Sequence, residues 1–457
     1  MDELAEAVIA GESPDMIERI PLPRAFPAAH VLKRDLGIFA DGEERDVRRV
    51  IRYGEVPMPV IAPDEVLVAV MASAINYNTV WTATFLPVPT FDALRRFART
   101  DGFAARHDLD HQVIGSDASG VIVRVGSAVR RWRVGDHVMV NPAYIDDQEA
   151  ATHSDGMLGR EQRAWGYETN FGGLAHYAVA RVSQLVPKPT HLTWEEAGGI
   201  TLCAGTAYRM LVGERAGRMK QGDIVLIWGA VGGLGSFAVQ MVRNGGGIPV
   251  GVVGSADKVG PARRLGCEVV INRRSLGLPE EDLGDGGVTA GKILGRAVRE
   301  QVGEDPHLVL DYLGQATFGM STVVVRRGGT VVTCGSSTGY LHGYDNRYLW
   351  MNLKRIVGSH SANLQEAWEC ARLVRLGRIS PTLSALYELP DAGEATRRVQ
   401  CNDHVGKVGV LCMAPRAGLG VTDPVRREEL GVAALNPLRA ADELVTVPRR
   451  SDHVVVG

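Results

Sequence analysis

Reactive thiols, paired metal ligands and surplus charge are all scarce in this chain. Its six cysteines, Cys203, Cys267, Cys334, Cys370, Cys401 and Cys412, are scattered through 457 residues, and no two form a Cys-x-x-Cys pair. That pattern excludes a disulfide-stapled scaffold and a four-cysteine zinc lobe, and reads as reduced thiols in a cytoplasmic protein. The acidic start, Met1 to Glu6, lacks the basic-then-apolar order of a secretory leader. A net charge of −3 gives no reason to expect nucleic acid or an anionic membrane as a partner. No nucleophile elbow is expected and no cysteine sits beside an obvious base, so the cysteines read as core residues. Repeats and low-complexity segments are lacking too. The length suits two domains plus extensions.

Glycine, by contrast, is abundant, with 54 residues. Several fall in the stretch that organises the chain, Val225-Leu-Ile-Trp-Gly-Ala-Val-Gly-Gly-Leu-Gly-Ser-Phe-Ala-Val239. An apolar run reads as a strand buried on both faces. A turn through Gly229, Gly232, Gly233, Leu234 and Gly235 follows, and then a helix. This is the setting of a dinucleotide fingerprint: glycine lets the backbone approach a pyrophosphate, and the helix start offers it free N–H groups. Val225 to Val242 is uncharged, so a membrane span is the competing reading; four glycines, Ser236 and Gln240 argue against it. An NAD site usually ends its second strand in Asp or Glu. Here that strand ends Val252-Val-Gly-Ser-Ala-Asp-Lys258, with no acid at its tip. Ser255, Lys258 and, after the next strand, Arg273 fit a 2′-phosphate instead, so NADPH is expected.

In chain order, a short helix over Leu4–Ile9 and a Pro-rich linker to about residue 30 come first. Short apolar runs at 60–75, 113–126 and 135–140, separated by turn signals, predict a barrel-like β domain. Residues 141–173 form a long polar connection, and Thr193-Trp-Glu-Glu196 is a helix-capping signal. From about 190 to 350 strands (224–228, 248–253, 268–271, 308–313, 329–334) alternate with helices, predicting a parallel doubly wound sheet. A helix is expected over 346–355 and another over 365–376. The tail beyond 415 is expected to wrap the body or fray. A β domain followed by a nucleotide domain is the plan of zinc alcohol dehydrogenases. Their Gly-His-Glu segment, however, reads Gly115-Ser116-Asp117 here, and His107 and His111 lack a thiol or acid at suitable spacing, so no metal is expected.

Five segments in order carry a more specific resemblance: Asn76-Tyr-Asn-Thr-Val-Trp81, Trp165-Gly-Tyr-Glu-Thr-Asn-Phe-Gly-Gly173, Ile227-Trp-Gly-Ala-Val-Gly-Gly-Leu-Gly-Ser236, Tyr344-Asp-Asn-Arg-Tyr-Leu-Trp-Met351 and Ile356-Val-Gly-Ser-His360. From about residue 30 to 415 the chain resembles the crotonyl-CoA (enoyl-CoA) carboxylase/reductases of the medium-chain dehydrogenase superfamily. The resemblance implies an α/β fold. A GroES-like β-barrel-type catalytic domain with an N-terminal extension would span 1–189 and a Rossmann domain 190–355, with a return to the catalytic domain plus tail over 356–457. It implies NADPH, CO2 as co-substrate, an acyl-CoA substrate, no metal and a homotetramer built as a dimer of dimers. Hydride addition to an α,β-unsaturated acyl-CoA leaves a nucleophilic α-carbon, and CO2 held there is captured as an alkylmalonyl-CoA, a polyketide extender unit. The family's CO2 set maps onto Asn76, Tyr167 (backbone), Glu168 and His360. Its CoA-phosphate set maps onto Arg347, Tyr348 and Arg327.

The chain also departs from the family. Tyr167 stands for the usual Phe, Ser361 for a Phe, Tyr312-Leu313 for His-Pro, Ala204 for Asn at a subunit contact and Gly335 for Ala. Three of these remove bulk, so Gly335 and Ser361 point to a wider acyl pocket for chains longer than crotonyl. Two alternatives remain open: an enoyl-CoA reductase that protonates and never fixes CO2, and a catalytically idle NADPH-binding protein.

Overall fold

Two sheets, joined by helices, organise the chain. In the computed structural model, which describes residues 2–100, 102–279, 284–431, 433–438 and 445–446, the strand Glu65–Ala74 is buried along its whole length. It pairs antiparallel with Ser119–Val125, Tyr177–Arg181 and Lys407–Leu411. His137–Val140 and Leu185–Pro187 extend one side of this sheet, and Leu383–Glu388 and Val445–Thr446 the other. Both faces are covered, which explains an apolar run where alternation would mark a half-wet strand. Val66, Val68 and Val70 pack with Ile114 and Ile122, while Leu67, Ala69 and Met71 pack with Phe26 and Tyr177. Glu65 is tolerated at the buried start because Arg106 Nη2 reaches both its oxygens at 2.6 Å.

The segment read as a Pro-rich linker is structured. Pro14–Arg19 is a helix, and Ala25–Leu32 is the central strand of a three-stranded sheet between Arg52–Pro57 and His111–Val113. Pro27 misleads the eye because proline is rare in central strands. It lies outside the part of the strand that pairs with His111–Val113, and its carbonyl accepts the His176 N–H (2.9 Å).

The parallel sheet has the order Val269–Asn272, Ile248–Val253, Ile224–Trp228, Leu308–Leu310, Thr330–Thr333, Arg355–Gly358. That is chain order 3-2-1-4-5-6, which opens a crevice beyond the carboxyl ends of Ile224–Trp228 and Leu308–Leu310, where the winding reverses. The sixth strand was not foreseen. The expected helix over 346–355 stops at Trp350, and the chain turns at Leu353 (φ 53°) into an edge strand. Its weak, part-exposed pattern explains why periodicity does not reveal it. The uncharged run 225–242 resolves into the buried strand and the helix Gly233–Asn244, and no helix among the described residues is long and apolar enough to cross a membrane.

The Thr193/Glu196 capping box forms as predicted, but its helix lasts only four residues. Gly198 must pass the Ala72 carbonyl, 2.8 Å from where a Cβ would stand, and a second helix, Thr201–Val212, starts beyond it. The tail wraps this joint. The Leu419 carbonyl accepts from Trp194 N–H, and Arg427 grips both oxygens of buried Glu196 at 2.7 and 2.9 Å.

Candidate active site

The glycine turn lies in the crevice. Gly229 adopts φ 59°, and the Tyr312 hydroxyl donates to its carbonyl at 2.6 Å. A Cβ on Gly235 would stand 2.3 Å from that same carbonyl, so strand and helix are packed backbone against backbone. Gly232 caps the Gly233–Asn244 helix without a side chain, which leaves the first-turn N–H groups to an anion. Leu234 is buried beneath the turn. At the tip of the second strand, Lys258 Nζ donates to the Asn402 carbonyl (3.0 Å), and burial holds its pKa down. Arg274 is close enough to act on Lys258 electrostatically, and Arg273 N–H bonds the Val253 carbonyl (3.0 Å). The Ser255 hydroxyl bonds Asp257, whose carboxyl it lowers. The one acid in this loop is therefore occupied, and the positive residues around it fit a 2′-phosphate.

Asn76 sits at the end of the central β strand, at the cap position of Tyr77–Thr84, yet its side chain caps nothing. It turns inward. Its Nδ2 donates to Asp117 Oδ2 (2.8 Å), and its Oδ1 accepts from Lys407 Nζ (2.6 Å). Lys407 also reaches Asp117 Oδ2 (3.0 Å) and the Ile75 carbonyl (3.1 Å). Asp117 Oδ1 accepts from Leu202 N–H (2.9 Å) and lies 2.8 Å from the Thr201 hydroxyl. Lys407 and Asp117 are 2% and 0% exposed. Burial pushes the Lys407 ammonium down, but Cys203 and Asp117 outweigh it and the net direction is up. Burial keeps Cys203 itself a thiol, so Asp117 is the charge that matters.

The loop 165–173 is pressed flat on the Gly115 segment: Cβ atoms on Gly166 and Gly172 would stand 1.9 and 2.5 Å from the Gly115 carbonyl. This fixes Tyr167 and Glu168. The Tyr167 carbonyl accepts from Gln112 Nε2 (2.7 Å) and its N–H bonds Ala164 (3.1 Å). Glu168 Oε2 accepts from Ala164 N–H (2.9 Å). His360 follows the sixth strand. Burial lowers its pKa, Glu168 opposes this and Arg209 adds to it, so the ring is neutral at pH 7. His360 sits at the surface with its ring backed by protein. Its loop is anchored by Asn141 Nδ2 to the Ala362 carbonyl (3.1 Å). Asn363 bonds Asp155 (3.1 Å), which pairs with Arg209 (2.5 Å). Ser361 is held at φ 48°, and its buried hydroxyl has no partner among the described residues.

Aromatic rings connect these parts. Trp81 lies 6.3 Å from Tyr167 and 6.1 Å from Tyr340, centroid to centroid, and 5.4 Å from Tyr77. Gly335 faces this wall: an added Cβ would be 4.0 Å from Trp81 Cη2.

The model of the alcohol dehydrogenase GroES-like domain matches residues 62–190, and that of the zinc-binding dehydrogenase domain matches 233–375. A crotonyl-CoA reductase of Streptomyces avermitilis is 48% identical over 92% of this chain and 95% of its own length. A crotonyl-CoA carboxylase/reductase of Cereibacter sphaeroides is 36% identical over 90% and 95%. The solved 2-octenoyl-CoA carboxylase reductase CinF from a Streptomyces species, in complex with NADP and 2-octenoyl-CoA, is 59% identical, with TM-score 0.95 over 96% of this chain and 99% of that one.

The chain belongs to the crotonyl-CoA carboxylase/reductase family.

Within this family frame, the donor set does not fit the zinc of the wider superfamily. Ser116 takes the Asn78 amide (2.8 Å), and Asp117 is claimed by Lys407, Asn76 and Leu202. His107 ends a 3-10 turn and accepts from Asn170 N–H (3.0 Å), while His111 begins a strand, so the two do not share a helical face. Among the described residues, no group of three or more His, Cys, Asp or Glu is arranged to hold a metal.

The phosphate candidates lie apart from the aromatic wall, around Asn346–Trp350. Arg347 is paired in fork geometry with Asp345 (2.7 and 3.0 Å), Tyr348 is half-buried on the same turn, and Arg327 donates to the Met351 carbonyl (3.2 Å).

Sequence reasoning passes over Asp117, Lys407 and Gln112 as parts of this site. A lysine heading the apolar run Val408–Leu411 was the available signal, since lysine is seldom buried without a partner. It also passes over Gly335-Ser-Ser-Thr-Gly339, which matches the letters Gly-x-Ser-x-Gly. That segment is not a nucleophile elbow, because no helix follows it directly. The His342 Nε2 lies 3.0 Å from Ser336 Oγ and 3.2 Å from the Gly339 carbonyl.

Proposed function

We propose that this enzyme reduces and carboxylates an α,β-unsaturated acyl-CoA longer than crotonyl-CoA, using NADPH and CO2, to give an alkylmalonyl-CoA fit for polyketide extension. The reading is supported by Glu168 lying close enough to His360 to act on it, and by Asn76 being tied through Lys407 to the first turn of the dinucleotide helix. A plain reductase needs only the turn.

Gly229–Gly235 would hold the pyrophosphate of NADPH, and Ser255, Lys258 and Arg273 its 2′-phosphate; when bound, the cofactor would supply hydride to the β-carbon. The displaced electron pair gathers at the α-carbon. Attack on the carbon of CO2 forms the new C–C bond, and one C–O π pair becomes the carboxylate. If a proton reaches the α-carbon first, the saturated acyl-CoA forms. The residues must therefore place CO2 and keep proton donors out. Asn76 offers an N–H to CO2. Glu168 and His360 hold a water against it, and a neutral imidazole is a poor proton source. Tyr167 contributes the loop backbone, whose own groups Gln112 and Ala164 hold in place. Arg327, Arg347 and Tyr348 meet the CoA phosphates, for which Arg347 exchanges Asp345 for a phosphate. Gly335 and Ser361 leave room along the Trp81 wall for the acyl chain.

The acryloyl-coenzyme A reductase of Sulfurisphaera tokodaii, 26% identical over 78% of this chain, keeps the purely reductive reading in view. NADPH oxidation with crotonyl-CoA and 2-octenoyl-CoA, with and without bicarbonate and carbonic anhydrase, separates the two readings by product mass. A product lacking the extra carboxylate under saturating CO2 favours the reductase. We further infer a cytoplasmic homotetramer. In support, among the described residues Arg355–Gly358 is an edge strand of the parallel sheet next to exposed Trp350, Met351 and Leu353, an arrangement that invites a second copy. Light scattering reads the assembly directly.

A further inference from the structure

We propose that the buried pair Lys407–Asp117 is a positioning device that sets the orientation of the Asn76 amide and thereby decides whether the α-carbon meets CO2 or a proton. The inference rests on the carboxylation reading above.

An amide side chain has one oxygen, which accepts, and one nitrogen with two N–H groups, and either end can face a given neighbour. Here the neighbours allow one orientation. Lys407 Nζ, which only donates, stands 2.6 Å from Oδ1, and Asp117 Oδ2, which only accepts, stands 2.8 Å from Nδ2. Flipping the amide would set N–H against ammonium and oxygen against carboxylate. One N–H is spent on Asp117. The other makes only a long, weak bond to the Ala74 carbonyl at 3.5 Å, and is the donor most easily given up to a ligand.

Such a pair is a costly way to glue elements together, since well-packed apolar residues hold a core as firmly. What the pair adds is orientation. It also ties Asn76 to the nucleotide site. Lys407 Cδ and Cys203 Sγ lie 3.3 and 3.1 Å from where a Cβ on Gly233 would stand, so the lysine stem underlies the first turn of the dinucleotide helix. Leu202 N–H holds the other carboxylate oxygen at 2.9 Å, which restrains Asp117 from turning away. The position where the wider superfamily carries its Gly-His-Glu acid is thus retained for aligning an amide. Neither Lys407 nor Asp117 touches substrate in this scheme. Both act through Asn76.

The test uses the full-length enzyme with NADPH, 2-octenoyl-CoA and saturating bicarbonate with carbonic anhydrase. It reads the molar ratio of carboxylated to reduced product beside the rate of NADPH oxidation, with circular dichroism as the folding control. For Lys407→Met and Asp117→Asn the ratio is expected to fall about tenfold or more, and NADPH oxidation to fall less. The double variant removes both charges together, avoids a lone buried ion and keeps the low ratio. Asp117→Glu, which keeps the charge but shifts it, gives an intermediate ratio. A purely structural pair lowers both rates together, and an unchanged ratio in the folded variants overturns the proposal. A set in which every variant fails to fold assigns the pair to folding alone and overturns it too. A wild-type enzyme that yields only saturated acyl-CoA ends the carboxylation reading and this inference with it, whereas a carboxylating wild type with unmoved variants ends this inference alone.

Discussion

Gly235→Ala is the sharpest probe of the dinucleotide turn. The added Cβ would stand 2.3 Å from the Gly229 carbonyl oxygen and 2.9 Å from Ala230 Cα. Both obstacles are backbone, so no side chain can swing aside. Relief to ordinary contact, which begins near 3.4 Å, requires helix and strand to part by about 1 Å. Overpacking of this kind costs about 1–3 kcal/mol. Because the Tyr312 hydroxyl and the first-turn N–H groups move with the turn, much of the cost falls on the NADPH-bound form. At about 1.4 kcal/mol per decade, the Kd for NADPH should rise roughly 5- to 150-fold. Gly260→Ala is the control: it lies in the same lobe, and its nearest neighbour is the far end of Arg264 at 3.8 Å. Titration by NADPH fluorescence reads both variants, with thermal unfolding alongside. A Gly235→Ala Kd within about threefold of wild type would refute the close-approach argument.

Asn76→Leu should divert product toward the reduced acyl-CoA. It should also destabilise the fold by about 1–3 kcal/mol, since Lys407 and Asp117 each lose a partner in the core; product analysis and urea unfolding check the two effects separately. His360 titrates below its usual 6.5, so the ring is neutral at pH 7 and charges only as pH falls through that lowered value. The reduced-product fraction of wild type should then rise at acid pH, while His360→Asn should give a flat profile. Gly335→Val should narrow the space beside Trp81 and lower kcat/KM for 2-octenoyl-CoA relative to crotonyl-CoA by about 10-fold or more; an unchanged ratio removes Gly335 from the acyl pocket. Arg427→Met removes the guanidinium that grips both oxygens of Glu196 at the tail dock while the capping bond from Thr193 N–H stays, and chemical denaturation should show a loss of about 1–3 kcal/mol.

Local chemistry wrote part of this protein into its sequence. An uncharged apolar run broken by glycines reads as a buried strand turning into a helix over a close backbone contact, and Ile224–Trp228 with Gly233–Asn244 is that unit. The Thr193 capping box and the acid-free second-strand tip were legible for the same reason: each depends on residues a few positions apart. Where the signal was weak or contrary, the reading failed. The edge strand Arg355–Gly358 has no clean period, and the strand through Pro27 carries a residue that normally argues against one.

Tertiary structure alone decided the rest. Residues 76, 117, 201 and 407 are far apart in the chain, and nothing about a lone lysine or aspartate announces that they meet. Their pairing follows from Lys407–Leu411 lying beside Glu65–Ala74, a long-range register fixed by burial on both sheet faces. The same distance effect hid Gln112 beneath Tyr167 and the tail's grip on Glu196. Side chains that act within one turn or hairpin can be read from the sequence; those whose protonation, orientation or burial is set by a partner hundreds of residues away acquire their chemistry only when the chain has folded.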